Sequence, residues 1–316
     1  MAVGGKIGLA LGGGAARGWA HIGVLKALGE IGIEPDIIAG TSIGAVVGGC
    51  YAAGHLDALE GFARELTRRR VFGYLDFNLA GTGLINGQRL CERLDRHLGD
   101  RAIEELDVRF TAVATEIGSG HEIWLSRGKL VEAVRASYAI PGIFRPVKIG
   151  GRWLFDGALV NPIPVSVCRA LGARYVIAVN LNADVCGRGA VVPHPDSVDE
   201  TNGVAELQPV KGKNGVAVRR LLQRQIFGKG EDTPGMTTVM IDAFNIVQDR
   251  IARSRLAGDP PDALINPRLT GVGLFDFHRA EELIALGEAA VKRDADDLIR
   301  EISFRRRGEQ RVSVPL

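Results

Sequence analysis

The chain has 316 residues, of which 46% are hydrophobic and 24% are charged. This composition excludes intrinsic disorder for most of the chain, and the length is sufficient for a large buried core in one large domain or two small ones. The net charge is +2, from 39 Lys and Arg against 37 Asp and Glu, and gives no reason to expect a nucleic-acid partner.

The compartment is inferred from the cysteines and from the apolar stretches. The four cysteines form no CxxC pair, so we expect reduced thiols rather than a disulfide framework. The apolar start of the chain is interrupted by glycines, which is atypical of a signal peptide. Ile37–Gly54 is 18 residues without a charge, but its five glycines favour a buried strand and helix over a membrane span. We therefore expect a cytoplasmic protein.

Hydrophobic periodicity predicts strands and helices that alternate along the chain. The predicted strands are 6–11, 36–40, 107–115, 122–125, the two arms of a hairpin over 147–155, and 175–180. The predicted helices are 17–29, 43–53, 56–70, 88–98, 129–137, 165–171, 216–227, 236–255 and 277–302. A long surface loop is predicted over 187–213 and a loose tail beyond Arg305. The alternation indicates an α/β fold with a mainly parallel sheet.

The first chemical motif is a GxSxG sequence formed by Gly40, Ser42 and Gly44. It follows a predicted strand and begins a predicted helix, which is the context of an exposed nucleophilic serine. Unpaired N–H groups at the start of that helix would stabilise negative charge near Ser42. The alternative is a glycine-rich turn in which Ser42 only caps the helix.

A glycine loop, Gly12–Gly14, follows the first strand, with Arg17 shortly after it. Consecutive glycines expose backbone N–H groups that can hold an anion or an oxyanion. The pattern fits neither the GxGxxG of a dinucleotide site nor the GK[ST] of a P-loop. An oxyanion hole that serves Ser42 remains, and the alternative is close packing of the strand on the helix.

The third motif is Asp156-Gly157, at the end of the predicted hairpin. A carboxylate at a strand end can lie in a cleft, although Asp-Gly turns are common and the motif alone is weak.

A histidine base for Ser42 is not evident among the six histidines. His21 follows the glycine loop, but its apolar neighbours are typical of a structural histidine. An α/β-hydrolase triad would use Asp156 with His194 or His278. That fold places several strands before its nucleophile, whereas only two precede Ser42, so the order argues against it.

Taken together, three segments resemble the patatin-like phospholipase family, and in particular its bacterial members of the neuropathy target esterase branch. They are LALGGGAARGWAHIGVLKAL (Leu9–Leu28), GTSIGAVVGG (Gly40–Gly49) and DGALVNPIPV (Asp156–Val165). The resemblance covers about residues 7–182, and it is only general in the C-terminal third. It implies a three-layer α/β fold with a mainly parallel central sheet flanked by helices.

The resemblance also implies a catalytic dyad without histidine. Ser42 would be the nucleophile and Asp156 the proton acceptor, and the backbone N–H groups of Gly12, Gly13 and Gly14 would form the oxyanion hole. Arg17 would contact a substrate phosphate or brace the loop. Ala15 stands where this branch often has glycine, which puts the shape of the loop in question. No metal or cofactor is implied.

The function implied is an acyl-lipid hydrolase of lipid metabolism: a phospholipase, a lysophospholipase or a carboxylesterase. The alternatives are an acyltransferase that uses the same acyl-serine, or a non-catalytic lipid- or anion-binding regulatory protein. Peripheral contact with the inner face of the membrane is a further hypothesis, based on Arg68–Arg70 beside the apolar segment Val71–Phe77, a candidate lid. The alternative there is a solvated helix end beside a core-packing loop.

Three parts of the chain are expected. They are a catalytic core over 7–182, a loop-rich insertion over 183–235, and a C-terminal helical part over 236–316 that packs on the same domain.

Overall fold

The computed structural model describes residues 5–74, 98–184 and 236–312. The strands are β1 (Ile7–Leu11), β2 (Ile37–Thr41), β3 (Arg109–Glu116), β4 (Glu122–Leu125), β5 (Val147–Ile149), β6 (Arg152–Asp156), β7 (Tyr175–Val179) and β8 (Ala263–Ile265). The α-helices are α1 (Trp19–Glu30), α2 (Ile43–Ala52), α3 (Leu56–Arg64), α4 (Arg68–Tyr74), α5 (Leu130–Ser137), α6 (Val165–Ala170), α7 (Met236–Gly258) and α8 (Ala280–Val312). Short 3₁₀ turns cover Ala15–Gly18, Ile103–Glu105, Gly157–Leu159 and Phe277–Arg279.

The described strands form one sheet in the order β5-β6-β3-β2-β1-β7-β8, with β4 also paired to β3. The five strands from β3 to β8 in that order are parallel to one another. Strands β4, β5 and β6 add antiparallel pairs at one side. The sheet is therefore mixed, with a parallel centre.

Helices bury both faces of this sheet. Alternate residues of a strand point to opposite faces, and β1 follows this rule. Leu9 and Leu11 pack in the core with α1, α2, α5 and α8, whereas Ala10 packs in a second core with α6. The result is the three-layer α/β fold that the sequence predicted.

One edge of β3 brings β2 and β6 together. Strand β2 pairs with β3 as far as Thr41, which lies opposite Val113, and β6 pairs from Asp156, which lies opposite the next residue, Ala114. Strand β4 occupies the other edge of β3 at the same level. Strands β2 and β6 therefore approach each other along one edge, and their last residues are neighbours.

The structure corrects two predicted elements and adds a strand that was not predicted. The helix predicted over 56–70 is divided into α3 and α4 because the hydroxyl of Thr67 accepts a hydrogen bond from the N–H of Arg70 and so caps a new helix. Strand β8 was missed because it has three residues and forms by pairing with β7. The prediction of a loose tail beyond Arg305 is wrong, because α8 continues to Val312. Extending an existing helix is easy for residues that include no proline.

Other predicted elements fall on residues that are not described. They are the helices 88–98 and 216–227, the loop over 187–213, and the end of the candidate lid, residues 75–77.

The chain divides into two compact units. One comprises Met1–Val185 with Val247–Leu316, and the other comprises Cys186–Ile246, of which only residues 236–246 are described, as the first turns of α7. Every predicted catalytic residue belongs to the first unit. The predicted boundaries at 182 and 235 remain predictions.

The uncharged stretch Ile37–Gly54 forms β2 and the ten-residue helix α2, as its glycines favoured. Within the described parts of the chain, no helix combines the length and the apolar character needed to cross a bilayer.

Helices α1 and α8 cross with their backbones in contact at two glycines. A β-carbon at Gly23 would clash with the carbonyl of Ile284, and one at Gly287 would clash with the carbonyl of Ala20. Both positions therefore require glycine for lack of space. Gly29 lies on the same helix as Gly23, but it is exposed and a β-carbon there would meet no atom within 4 Å.

We expect Gly23→Ala to lower the free energy of unfolding by ~1–3 kcal/mol or more, because backbone cannot yield as a side chain can. The matched variant Gly29→Ala is expected to raise it by up to ~1 kcal/mol through helix propensity. Urea unfolding of both variants measures this difference. Equal effects at the two positions would contradict the close crossing.

Candidate active site

Ser42 occupies a strained corner between β2 and α2. Its φ of 57° and ψ of −124° are rare for a residue with a side chain, and only 4% of the residue is exposed. The side chain makes no capping bond with α2. Instead Ser42 Oγ donates a hydrogen bond to Asp156 Oδ2 at 2.6 Å. The alternative of a helix-capping serine is therefore wrong.

Ser137, at the end of α5, fixes the backbone of this corner through two hydrogen bonds. The Ser42 N–H donates to Ser137 Oγ at 2.9 Å, and that hydroxyl donates in turn to the carbonyl of Val113 at 2.6 Å. This buried pair of bonds ties the strained residue to β3. Sequence reasoning missed Ser137, because nothing in its own helix marks it.

The motif glycines lie where backbones pass closest. A β-carbon at Gly40 would clash with α2, one at Gly44 with the carbonyl of Leu11, and one at Gly157 with the carbonyl of Val113. The glycines therefore permit the close passage of β1, β2, β3 and α2 around Ser42.

Asp156 is fully buried at the end of β6. Its Oδ1 accepts from the N–H of Ala158 at 2.8 Å, and its main chain is held by the Thr115 hydroxyl and the Ala139 carbonyl. Burial raises the pKa of this carboxyl to about 7, against the opposing effect of the bonds from Ser42 and Ala158. The carboxyl can therefore take up and release a proton near neutral pH.

Each carbonyl of the glycine loop accepts a hydrogen bond from a buried polar side chain. The three pairs are Gly12 with His21 Nε2 at 2.8 Å, Gly13 with Asn182 Nδ2 at 3.1 Å, and Gly14 with Arg17 Nε at 3.3 Å. Because a trans peptide directs its N–H opposite to its C=O, these side chains also fix the direction of the N–H groups that follow.

The loop N–H groups differ from the prediction. The Gly12 N–H donates to the carbonyl of Val179 at 3.1 Å, and the Gly13 N–H donates to that of Pro162 at 3.0 Å. Both donors already have acceptors in this structure, so the predicted oxyanion hole is proposed below on other N–H groups of the loop. The acceptors of Gly12 and Gly13 lie far away in the sequence, which is why the loop alone did not reveal them.

Two loop donors remain. Within the described residues, the N–H groups of Gly14 and Ala15 donate to no other group. The loop lies against Ser42, since a β-carbon at Gly13 would be 3.5 Å from Ser42 Cβ. Ala15 has a φ of 48°, a conformation that favours glycine, which explains why glycine is common there in the family that the sequence resembles.

Arg17 supports the glycine loop, and its predicted contact with a substrate phosphate stays a prediction. It is 1% exposed, and its main-chain N–H as well as its Nε donate to the Gly14 carbonyl. The guanidinium therefore braces the loop, which was the alternative.

His21 is also structural. Burial lowers its pKa to about 4, so the ring is neutral near pH 7. The Gly12 carbonyl can only accept, so Nε2 bears the proton and donates to it. Among the described residues, no histidine forms a hydrogen bond with Ser42 or Asp156.

Asn182 was missed by sequence reasoning, although a signal existed. It comes just after β7, whose last residue, Val179, pairs with Leu11 immediately before the glycine loop. Polar residues that follow the carboxyl ends of adjacent parallel strands meet at one edge of the sheet, where such folds bind ligands.

The fold and site define a three-layer α/β protein with a buried serine–aspartate pair beside a glycine loop. Residues 9–169 match the family model described as patatin-like phospholipase, and the chain belongs to that family. Membership supports an esterase or lipid-hydrolase activity in general terms.

Relatives confirm the predicted branch of the family. The chain is 37% identical to an uncharacterized NTE family protein of Mycobacterium tuberculosis over 330 residues, covering 90% of this chain and 89% of the relative. It is 35% identical to the neuropathy target esterase of Drosophila melanogaster over 187 residues, covering 57% of this chain and 13% of that protein. A solved structure, VipD of Legionella pneumophila, aligns over 48% of this chain and 46% of that one with 17% identity and a TM-score of 0.30, too low to inform the fold.

We expect Asp156→Asn to stabilise the protein above pH 7. The native pKa of about 7 exceeds the ordinary 3.8, so burial of this carboxyl costs stability progressively as pH rises from about 4 to 7, and fully above 7. Asparagine keeps an acceptor for Ala158 and carries no charge. The gain is expected to be about 2–4 kcal/mol at pH 8 and to be small at pH 4, measured by urea unfolding.

The matched variant is Ser42→Ala, which removes the bond between the two side chains but keeps the carboxyl. It should retain the pH dependence. A difference between Asp156→Asn and the wild type that is constant from pH 4 to 8 would contradict the raised pKa.

Proposed function

We propose that the protein is a serine hydrolase that cleaves carboxylic esters of acyl lipids with Ser42 as nucleophile and Asp156 as proton acceptor. The observation that carries the proposal is the 2.6 Å hydrogen bond from Ser42 Oγ to Asp156 Oδ2 at a strained strand-to-helix corner. A serine needs an adjacent base to attack an ester, and this carboxylate is the acceptor of its proton.

The proposed reaction has two halves. Ser42 Oγ attacks the ester carbonyl and its proton passes to Asp156 Oδ2, which gives a tetrahedral oxyanion. The oxyanion collapses, the alcohol leaves with the proton from Asp156, and the acyl group stays on Ser42. Water then attacks the acyl-serine with Asp156 as base, and the carboxylic acid and the free serine are released. A carboxyl with a pKa of about 7 can both accept and return the proton near neutral pH.

The oxyanion hole is proposed on revised residues. The N–H groups of Gly14 and Ala15 have no acceptor in the part of the chain that the structure describes, and their loop lies against Ser42. His21, Asn182 and Arg17 hold the loop carbonyls, so these donors need no rearrangement during the reaction. Such preorganised donors supply a large part of catalysis in acyl transfer.

The acyl-lipid substrate is proposed from family membership and from the relative named as an esterase. We also propose peripheral membrane contact, which rests on the basic residues of α4 alone. Arg68, Arg69 and Arg70 are exposed at the start of α4, whereas Val71, the first residue of the predicted apolar segment, is buried in the core.

Hydrolysis of a short-chain p-nitrophenyl ester tests the dyad. We expect Ser42→Ala and Asp156→Asn each to lower kcat/KM by ~10³-fold or more, because the two act as one unit. The control is His278→Ala, which removes one of the two candidate histidines of the rejected triad. His278 accepts a bond from Arg68 Nε, and the variant should keep activity. His21→Ala is unsuitable as a control because His21 supports the loop.

A wild type that hydrolyses no ester and resists a fluorophosphonate would refute the proposal and favour the non-catalytic alternative. Acyl transfer to an added alcohol in place of water would favour the acyltransferase.

The pH profile tests the identity of the base. Because the active form has Asp156 deprotonated, kcat/KM should rise with pH and level off above about 7. Ionisation of a carboxyl has little enthalpy, whereas that of an imidazole is strongly endothermic. The midpoint should therefore stay constant when the profile is measured at several temperatures. A midpoint that falls on warming would indicate a histidine.

A further inference from the structure

We propose that Gln248 is a further catalytic residue, whose side-chain amide donates a hydrogen bond to the oxygen of the ester carbonyl and to the oxyanion that forms from it. The inference rests on the proposed ester hydrolysis. It assigns to α7, far from the sequence motifs, a direct contact with the reacting group.

The placement of Gln248 comes first. The residue is 2% exposed on α7. A β-carbon at Gly13 would lie 3.1 Å from Gln248 Nε2 and 3.5 Å from Ser42 Cβ. The amide nitrogen and the nucleophilic residue therefore flank the same point of the glycine loop.

The orientation of the amide is settled by Asn182. The Gly13 carbonyl can only accept a hydrogen bond, so the group of Asn182 that lies 3.1 Å from it is Nδ2. The second hydrogen of Nδ2 goes to Gln248 at 2.7 Å, so the atom of Gln248 facing Asn182 is Oε1. The Nε2 group of Gln248 therefore points away from Asn182.

Gln248 Nε2 is a donor without an acceptor in the described part of the chain. An oxygen placed beside Ser42 would accept a hydrogen bond from this amide, because Nε2 lies at the same point of the glycine loop as Ser42. The space between the loop and Ser42 is where the ester carbonyl must lie during attack by Ser42 Oγ. A neutral donor there favours the negative oxygen over the carbonyl, so its effect falls mainly on kcat.

Gly13 links this donor to those of the loop. Its carbonyl binds the side chain that orients Gln248, and the same peptide unit presents the Gly14 N–H in the opposite direction. Asn182 is thus a positioning residue for both, while Gln248 and Gly14 contact the oxyanion.

Two variants of Gln248 separate its roles. Gln248→Met keeps the length of the side chain and removes its polar atoms. Gln248→Glu keeps an oxygen for Asn182 and replaces the donor with an oxygen that repels the oxyanion when ionised. The matched control is Asp249→Asn on the same helix, since Asp249 is 4% exposed and pairs with Arg253.

We expect kcat/KM for the p-nitrophenyl ester to fall ~10²–10³-fold in both Gln248 variants, with most of the loss in kcat. The rate of labelling of Ser42 by a fluorophosphonate should fall as well, because the phosphonyl oxygen occupies the same site. The ratio of the Glu to the Met rate should rise as pH is lowered and the glutamate is protonated, which a packing role would not produce. Asp249→Asn should keep both rates.

Two results would overturn the role of Gln248 and leave the Ser42–Asp156 proposal intact. The first is a kcat/KM of both variants within about threefold of that of an active wild type. The second is a loss of activity that follows only a lower thermal midpoint or a higher KM. A wild type that neither hydrolyses the ester nor reacts with the fluorophosphonate would overturn both.

Discussion

The hydrogen bond between Ser42 Oγ and Asp156 Oδ2 is the interaction on which the rest of the site depends. It requires a serine in a backbone conformation that is costly for a residue with a side chain, and a carboxyl fully removed from water. Each of these two features costs free energy and is maintained by hydrogen bonds from its surroundings. The strained corner is tied to β3 through Ser137, and the carboxyl receives hydrogen bonds from Ser42 and from the N–H of Ala158. The raised pKa of Asp156 is thus a cost in stability, and it suits the carboxyl to the proposed role of a base.

Buried polar side chains around the glycine loop have opposite effects on the pH dependence of stability. The high native pKa of Asp156 favours folding as pH falls from about 7 to 4. The low native pKa of His21, about 4 against an ordinary 6.5, disfavours folding over much of the same range, since the unfolded histidine takes up a proton that the native one refuses. The two effects oppose each other, so a flat stability curve between pH 4 and 7 can conceal two large contributions.

The sequence predicted the features whose causes are local. The strand, corner and helix around Ser42 follow from a short apolar run and two glycines, and the three-layer fold follows from alternating strands and helices. It did not predict the occupied N–H groups of Gly12 and Gly13, because their acceptors come from β7 and from the segment before α6. The sequence did not decide whether Arg17 is buried, for the same reason. It gave no sign of Gln248 either, because that residue lies in an otherwise ordinary helix. The role of such residues depends on partners that are distant in the sequence, and a partner of that kind leaves no periodic pattern in the chain.

The meeting of β2 and β6 on one edge of β3 has a consequence for how activity can be lost. Ser42 belongs to the parallel part of the sheet, whereas Asp156 reaches it at the end of an antiparallel hairpin, β5–β6, that pairs with β3 over only three residues. Opening of that hairpin would separate Ser42 from Asp156, the proposed nucleophile and base, while every parallel pairing remained in place. Local opening of one hairpin, without global unfolding, would therefore be enough to break the pair while it lasted.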